Sequence, residues 1–422
     1  MIEKLIADIK QSLTPFHTIE AVSAQLVKNG FVPLSEKSDW DLKKDGKYFV
    51  TRAGSSLVAF SLSNGCPSFN IVAPHTDSAC FKLKGKPDTS VAGLHKINCE
   101  VYGSPIFSTW QDRRLTIAGR AFYKDKKSCE LVQKLVKSNF NVVIPNLPIH
   151  LNREVNNGYK FNPQKDMIPI AGLEKGDILK EVVGEDAISS DLYVVCDESG
   201  YTFGKDNALL ASPRLDDLQG VFGGLYAFLD YENSLARKSR TAKCPVNVLA
   251  LFDNEEIGSA TRQGAGSWFL HDVLSRINYA FGGTRASFYK ILASSFLLSL
   301  DNAHATHPSH PELSDPTNST VLGGGIAIKH HANFNYTTDA ESAAHIKMLF
   351  DQGKVKHQDY YVRSDLKAGS TLGVISSQRL SIMAADIGLG QLAMHSAVEI
   401  ACVDDFLEIV KGIKEFYTSF KI

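Results

Sequence analysis

Pro245-Val246-Asn247-Val248-Leu249-Ala250-Leu251-Phe252 runs without interruption into Asp253-Asn254-Glu255-Glu256. A short apolar run of this kind reads as a buried strand, as strands look in a sheet covered by helices on both faces. Two other stretches repeat the pattern. Phe69-Asn70-Ile71-Val72-Ala73-Pro74 leads into His75-Thr76-Asp77-Ser78, and Phe296-Leu297-Leu298-Ser299-Leu300 leads into Asp301 and His304. In open α/β sheets ligands bind beyond the carboxyl ends of the strands, and here three apolar strands end in potential metal ligands.

Around these strands the chain divides by texture. An amphipathic helix to about residue 13 breaks at Thr14-Pro15, and a second helix is expected over 18–28, stopping at Asn29-Gly30. Strands are expected over 47–51 and 56–62, joined by the turn Gly54-Ser55. From about 83 to 205, β-branched and aromatic stretches such as 114–123, 140–144 and 191–196 alternate with Gly, Asn, Asp and Lys turns, the pattern of a separate β-rich domain. Helical periodicity returns over 216–231 and in a closing amphipathic helix over 405–420. Helix-and-strand segments flank the β-rich block, so residues 83–205 are expected as an insertion into one discontinuous α/β domain, 1–82 with 206–422.

The bulk numbers narrow the function. The 422 residues suffice for a sizeable core, and a hydrophobic content of 44% with 22% charged residues is that of a soluble globular protein. A formal net charge of -1 gives no electrostatic case for nucleic acid or an anionic membrane as partner. The opening Met1 to Leu13 lacks the basic start and apolar run of a secretory signal, and no run reaches the ~18 apolar residues of a membrane helix. Seven cysteines (Cys66, Cys80, Cys99, Cys129, Cys196, Cys244, Cys402), odd in number and without C-x-x-C spacing, read as thiols in a reducing compartment, and so as a cytoplasmic protein.

The polar clusters offer chemistry and also plainer readings. In His75-x-Asp77 the imidazole could hold a metal while the carboxylate orients the ring, although taken alone the pair reads more readily as a plain strand-end turn with a solvated histidine. Adjacent Glu255 and Glu256 repel each other unless one binds a cation and the other exchanges protons; the alternative is an acidic helix N-terminus. Asp216-Asp217 has the same alternative. Asp301, His304 and His307 share one short segment, and His395 follows a small-residue stretch over 384–390. Taken as a set, these nitrogen and oxygen donors suit zinc, cobalt or manganese, and one shared carboxylate could hold two ions roughly 3.5 to 4 Å apart, an arrangement that serves hydrolysis.

A resemblance sharpens this. Thr14-Pro15-Phe16-His17 with Gly30-Phe31, Pro74-His75-Thr76-Asp77-Ser78, Trp110-x-Asp112-Arg113, Pro148-Ile149-His150-Leu151, Arg214-Leu215-Asp216, Asp253-Asn254-Glu255-Glu256-Ile257-Gly258-Ser259, Ser299-Leu300-Asp301-x-Ala303-His304, Arg363-Ser364-Asp365, Gly369-Ser370-Thr371-Leu372-Gly373 and Leu392-x-Met394-His395-Ser396 occur in the order seen in the M18 metallopeptidases, the aspartyl aminopeptidase family, which the chain resembles over nearly its whole length. The resemblance implies a three-layer α/β/α catalytic domain carrying an inserted β-rich dimerisation and lid domain. It implies two divalent metal ions per subunit, zinc first, with His75 and Asp301 on one, Glu256 and His395 on the other, and Asp216 bridging. Glu255 would be the general base, and Asp77 would orient His75. His304, Lys329 and Tyr336 match substrate-contacting positions, and His150 would reach into a neighbouring subunit of a dimer-built dodecamer. Peptides with a free N-terminus, acidic residues preferred, would be the substrates.

The chain also departs from the family pattern. Ala79 stands where proline is usual, Gln111-Asp112-Arg113-Arg114-Leu115 replaces a Phe-Asp-Arg-Asp-Leu run, Val374 replaces a proline, and the surroundings of Lys329 are richer in histidine. None of these removes a ligand or the base. Two rival functions remain at this point: an amide deacylase on the same scaffold, and a catalytically idle assembly protein, which would be expected to have lost the ligands or the base.

Overall fold

The computed structural model describes residues 1–62, 65–173, 176–235 and 244–422. Among the described residues, thirteen strands form one large sheet. Its centre is the parallel set Val246–Leu251, Phe69–Ala73, Phe296–Leu300 and Met383–Leu392. Every residue of the first three is buried. They are apolar throughout because side chains on both faces of the sheet are covered.

Alternate residues of these strands supply two cores. Val72, Leu249 and Leu298 pack with Phe222, Phe228, Phe406 and Phe416, under the helices Leu215–Leu235 and Val403–Ser419. Ile71, Val248 and Leu297 pack with Phe269 and Phe288, from the helices Phe269–Ala280 and Arg285–Ala293 on the other face. The result is a three-layer α/β/α arrangement. Gly224 shows how close the layers lie, since a methyl group there would stand 3.1 Å from Leu249 Cδ1.

The parallel register matters most for function. Val246 pairs with Phe69 and Phe296 with Asn70, so the strands end together. His75 and Phe252 form a bridge just beyond them. The polar residues that follow each strand therefore emerge at one edge.

A second sheet, antiparallel and six-stranded, is ordered Leu131–Val142, Leu115–Lys124, Ala187–Cys196, Cys80–Val91, Leu94–Tyr102, Ile170–Gly172. It has its own core of Phe81, Trp110, Ile117, Leu192 and Val194, which Leu13, Phe16 and Ala397 join from outside. In sequence these strands lie between Phe69–Ala73 and Tyr201–Phe203, both of the large sheet.

Several elements differ from the sequence expectation. The second helix is Pro15–Lys28, three residues longer at its start, because Thr14 takes the extended N-cap conformation and proline suits the first helical position. The strand expected over 140–144 runs over Leu131–Val142, a mostly exposed edge whose polar residues mask its period. The helix expected over 216–231 spans Leu215–Leu235, but Asp216 (φ -87°, ψ 108°) and Asp217 (φ -116°, ψ 34°) are not helical. Among the described residues no helix is long and apolar enough to cross a membrane.

Candidate active site

Chain ends from the strand edge bring together five of the expected ligands. His75 follows Phe69–Ala73, and its Nε2 lies 3.6 Å from Asp216 Oδ1 and 3.9 Å from Asp301 Oδ1. His395 follows Met383–Leu392, and its Nε2 lies 3.4 Å from Asp216 Oδ2 and 3.2 Å from Glu256 Oε2. Among the described residues, His75, Asp216 and Asp301 form one group able to hold a cation, and Asp216, Glu256 and His395 form the other, with all donor atoms of a group within 4.8 Å of one another. Asp216 belongs to both. Donor atoms held by one ion at about 2.0–2.2 Å in a tetrahedron stand roughly 3.4 Å apart, close to the separations seen.

The second ring nitrogens are accounted for in the way metal-ligating histidines require. His75 Nδ1 is 3.0 Å from Asp77 O and 3.4 Å from Asp77 Oδ1, and His395 Nδ1 is 3.1 Å from Ser104 O. Each contact leaves Nε2 free to face the carboxylates. The donor set therefore fits divalent metals.

The electrostatics agree. Burial and nearby Asp216 push the Glu256 and Asp217 carboxyls upward, a sign of more negative charge than the two imidazoles can balance. Burial disfavours the His395 imidazolium, yet the hydrogen bond to Asp216 and the Glu256 charge overcome it and raise the group to about 10.

Glu255 belongs to neither group and lines the cleft, its carboxyl pushed up to about 8 by burial and by neighbouring Asp301. It opens a short 3₁₀ turn, Glu255–Ile257, rather than a long helix. Asp77, fully buried, accepts the backbone N–H of Glu255 at 3.0 Å and of Glu256 at 3.1 Å as well as facing the His75 ring.

The cleft is open and about 390 Å³ in volume. His304, Lys329 and Tyr336 line it together with Tyr360, Ser370 and Met394. Lys329 is 2% exposed, unlike a solvated strand-end lysine. Its Nζ donates to Asn302 O at 2.9 Å and to Asp301 O and Oδ2 at 3.2 and 3.3 Å. His307 lies away from the cleft wall, exposed beside His310. His150 is exposed on the second sheet's side of the molecule, in a run with exposed Leu147, Ile149 and Leu151.

One acid escaped the sequence reading. Glu399, buried on the strand Glu399–Cys402, accepts the backbone N–H of Asp216 at 2.9 Å and of His395 at 2.6 Å. His395 has a positive φ of 65°, a conformation that costs a side-chain-bearing residue about 1–2 kcal/mol, and the Glu399 contact helps hold it there. An acid inside the apolar run Ala397-Val398-Glu399-Ile400-Ala401 was the available signal.

Comparison with known proteins identifies the family. The model of the family described as aminopeptidase I zinc metalloprotease (M18) matches residues 9–417. The chain is 41% identical to a probable M18 family aminopeptidase 2 of Clostridium acetobutylicum over 98% of each chain, and 40% identical to one of Clostridium novyi over the same shares. Among solved structures, it superposes on the chain in a cryo-EM structure of an Ape4 and Nbr1 complex with a TM-score of 0.92 and 32% identity, covering 98% of this chain and 84% of that one. It superposes on an S. cerevisiae mApe1 dodecamer subunit with a TM-score of 0.86 and 26% identity, covering 99% and 96%. With family match, relatives and fold in agreement, the chain belongs to the M18 family of metal-dependent aminopeptidases.

Proposed function

We propose that the protein is a dinuclear metalloaminopeptidase that removes single residues, acidic ones preferentially, from peptide N-termini. The observation that carries this reading is the convergence of His75, Asp216, Glu256, Asp301 and His395, with Asp216 shared between two donor groups. When bound there, two zinc ions would supply Lewis acidity, polarising the scissile carbonyl and bringing the pKa of water from about 15.7 towards ~7. His75 and Asp301 would hold one ion, Glu256 and His395 the other, with Asp216 between them.

Glu255 is left free for proton transfer. With no place in either donor group, it would take a proton from the attacking water and return it to the departing amine, a role worth on the order of a hundred- to ten-thousand-fold in rate. The carboxylates along the cleft suit a free α-ammonium group. Lys329 gives the cleft a positive wall towards which an aspartate or glutamate side chain would point, His304 beside it is kept neutral by burial and by the Lys329 charge, and Tyr336, whose ring lies 4.7 Å from Lys329 Nζ, fixes the cation's place.

Residues 83–205 we read as an inserted dimerisation and lid domain of the catalytic unit 1–82 and 206–422. The exposed Leu147, Ile149 and Leu151 supply apolar surface for a neighbour, which would carry His150 into the partner's cleft, within dimers assembled to a dodecamer. Seven free cysteines fit the cytoplasm. Metal analysis paired with a hydrolysis panel of Asp-, Glu- and Leu-initiated peptides and N-acyl amino acids tests the whole reading. Two ions per chain and faster cleavage of the acidic peptides are expected; faster turnover of the N-acyl amino acids would make the protein a deacylase.

A further inference from the structure

The strand Leu94–Tyr102 belongs to the second sheet, yet its last residue and the two that follow reach into the cage of the first. Tyr102 Oη donates to Asp77 Oδ2 at 2.8 Å and accepts from Asn254 Nδ2 at 2.9 Å. Asp77 is the carboxylate that accepts the backbone N–H groups of Glu255 and Glu256. Asn254, which precedes them with a φ of 65°, has its side-chain oxygen occupied by Thr261 and Gln263. Tyr102 thus links the two groups that set where both glutamates begin.

Gly103 comes next, with a φ of +71° that side-chain-bearing residues rarely adopt. A methyl group there would stand 3.2 Å from Glu256 Cβ, 3.3 Å from Glu256 Oε2 and 3.3 Å from Ala79 Cα. The backbone of Gly103 therefore forms the wall against which the Glu256 side chain rests. Ser104 completes the run. Its carbonyl oxygen stands 3.1 Å from His395 Nδ1, where it fixes the ring with Nε2 towards Asp216 and Glu256.

Three consecutive residues of the second unit thus touch Asp77, Glu256 and His395. We infer that Tyr102-Gly103-Ser104 is the positioning element of the Asp216, Glu256 and His395 half-site, so that the inserted unit shapes the metal cage of its own chain. The inference rests on the dinuclear reading above. It gives the insertion a part in each subunit's chemistry that does not depend on assembly. Partners that orient metal ligands typically affect metal affinity or activity by about 10- to 100-fold.

The test uses the full chain, stripped with a chelator and titrated with Zn²⁺ alone by calorimetry and with Co²⁺ alone by visible absorption. Wild type, Gly103→Ala and Tyr102→Phe are compared. Wild type is expected to take up two ions. Gly103→Ala should keep one at wild-type affinity and bind the other about 10- to 100-fold more weakly. Tyr102→Phe keeps the ring packed edge-on against Tyr193 and should shift the Co²⁺ spectrum, lowering kcat about tenfold or more at near wild-type KM.

A purely structural role would lower thermal stability without selecting one ion. Equal weakening of both ions in Gly103→Ala, or two ions bound as in wild type, overturns the inference while the dinuclear reading stands. Should Gly103→Ala fail to fold, an unchanged Co²⁺ spectrum and kcat in Tyr102→Phe overturn it. Fewer than two ions in wild type would remove the dinuclear reading itself, and the inference with it.

Discussion

Lys329 Nζ stands 3.3 Å from Oδ2 of Asp301, so the cation that lines the cleft also serves a carboxylate of the proposed cage. Its charge is held up by Asp301 against the cost of burial, and the ammonium is retained well past neutral pH.

This double duty shapes the first prediction. Lys329→Met should reduce kcat/KM for Asp- and Glu-initiated peptides more than for a Leu-initiated one, shifting the ratio by about tenfold or more. Activity on all three should also fall, since removing one partner of a buried pair leaves the other uncompensated. Steady-state kinetics on the three peptides measure both effects. An unchanged ratio would show that the acidic preference, if present, is set elsewhere in the cleft.

Glu255 and Glu256 are neighbours with different proposed duties, and substitution should separate them. Glu255→Gln is expected to lower kcat by about a hundred- to ten-thousand-fold while both ions stay bound. Glu256→Ala is expected to lose one ion, because its oxygen lies 3.2 Å from His395 Nε2 within the second donor group. Elemental analysis beside turnover numbers reads both. Full activity in Glu255→Gln would end the base assignment.

Much of this was legible in the sequence, for identifiable reasons. Strands buried on both faces announce themselves as apolar runs, so 296–300 was located to the residue and 69–74 and 245–252 within one at each end. The candidate ligands stand close after such strands or near glycine turns, but each alone also reads as an ordinary polar residue, and it was the resemblance to the M18 pattern that singled them out as a set. What stayed hidden depends on tertiary contact. Glu399 and Tyr102 act through backbone amides and a second carboxylate; Glu399 shows in the sequence only as an acid within an apolar run, which does not say what it holds, and Tyr102 reads as an ordinary strand aromatic. Burial of Lys329 was equally invisible, because a lysine ending an apolar strand looks the same whether it meets water or Asp301. The helix Ala340–Gln352 went unlocated too, its apolar face being short and rich in alanine.

Metal uptake should release protons. The imidazole of His395, raised to about 10, carries a proton at neutral pH when no cation is bound, and a ligand must lose that proton to coordinate. Protons therefore compete with metal below about 10, and affinity should rise with pH from 6 to 9. Calorimetry of Zn²⁺ binding at one pH in buffers of different ionisation enthalpy gives the number released. A value of zero at pH 7 would mean that the histidine is already neutral before binding.

Subunit exchange tests whether His150 completes a neighbour's site. The residue is exposed and absent from the wall of its own chain's cleft, so His150→Ala should depress activity without changing metal content. In Glu255→Ala the same chain lacks its base but still presents His150. If the sites are shared, mixing the two variants builds hybrid dimers in which one site receives a wild-type base and a wild-type His150, so at full exchange about a quarter of all sites regain both groups and activity should rise above the average of the two variants alone. Native mass spectrometry confirms that exchange has taken place. If hybrids form and activity stays at the average of the two variants, His150 does not act across the interface, because its loss would then have been felt within a single chain.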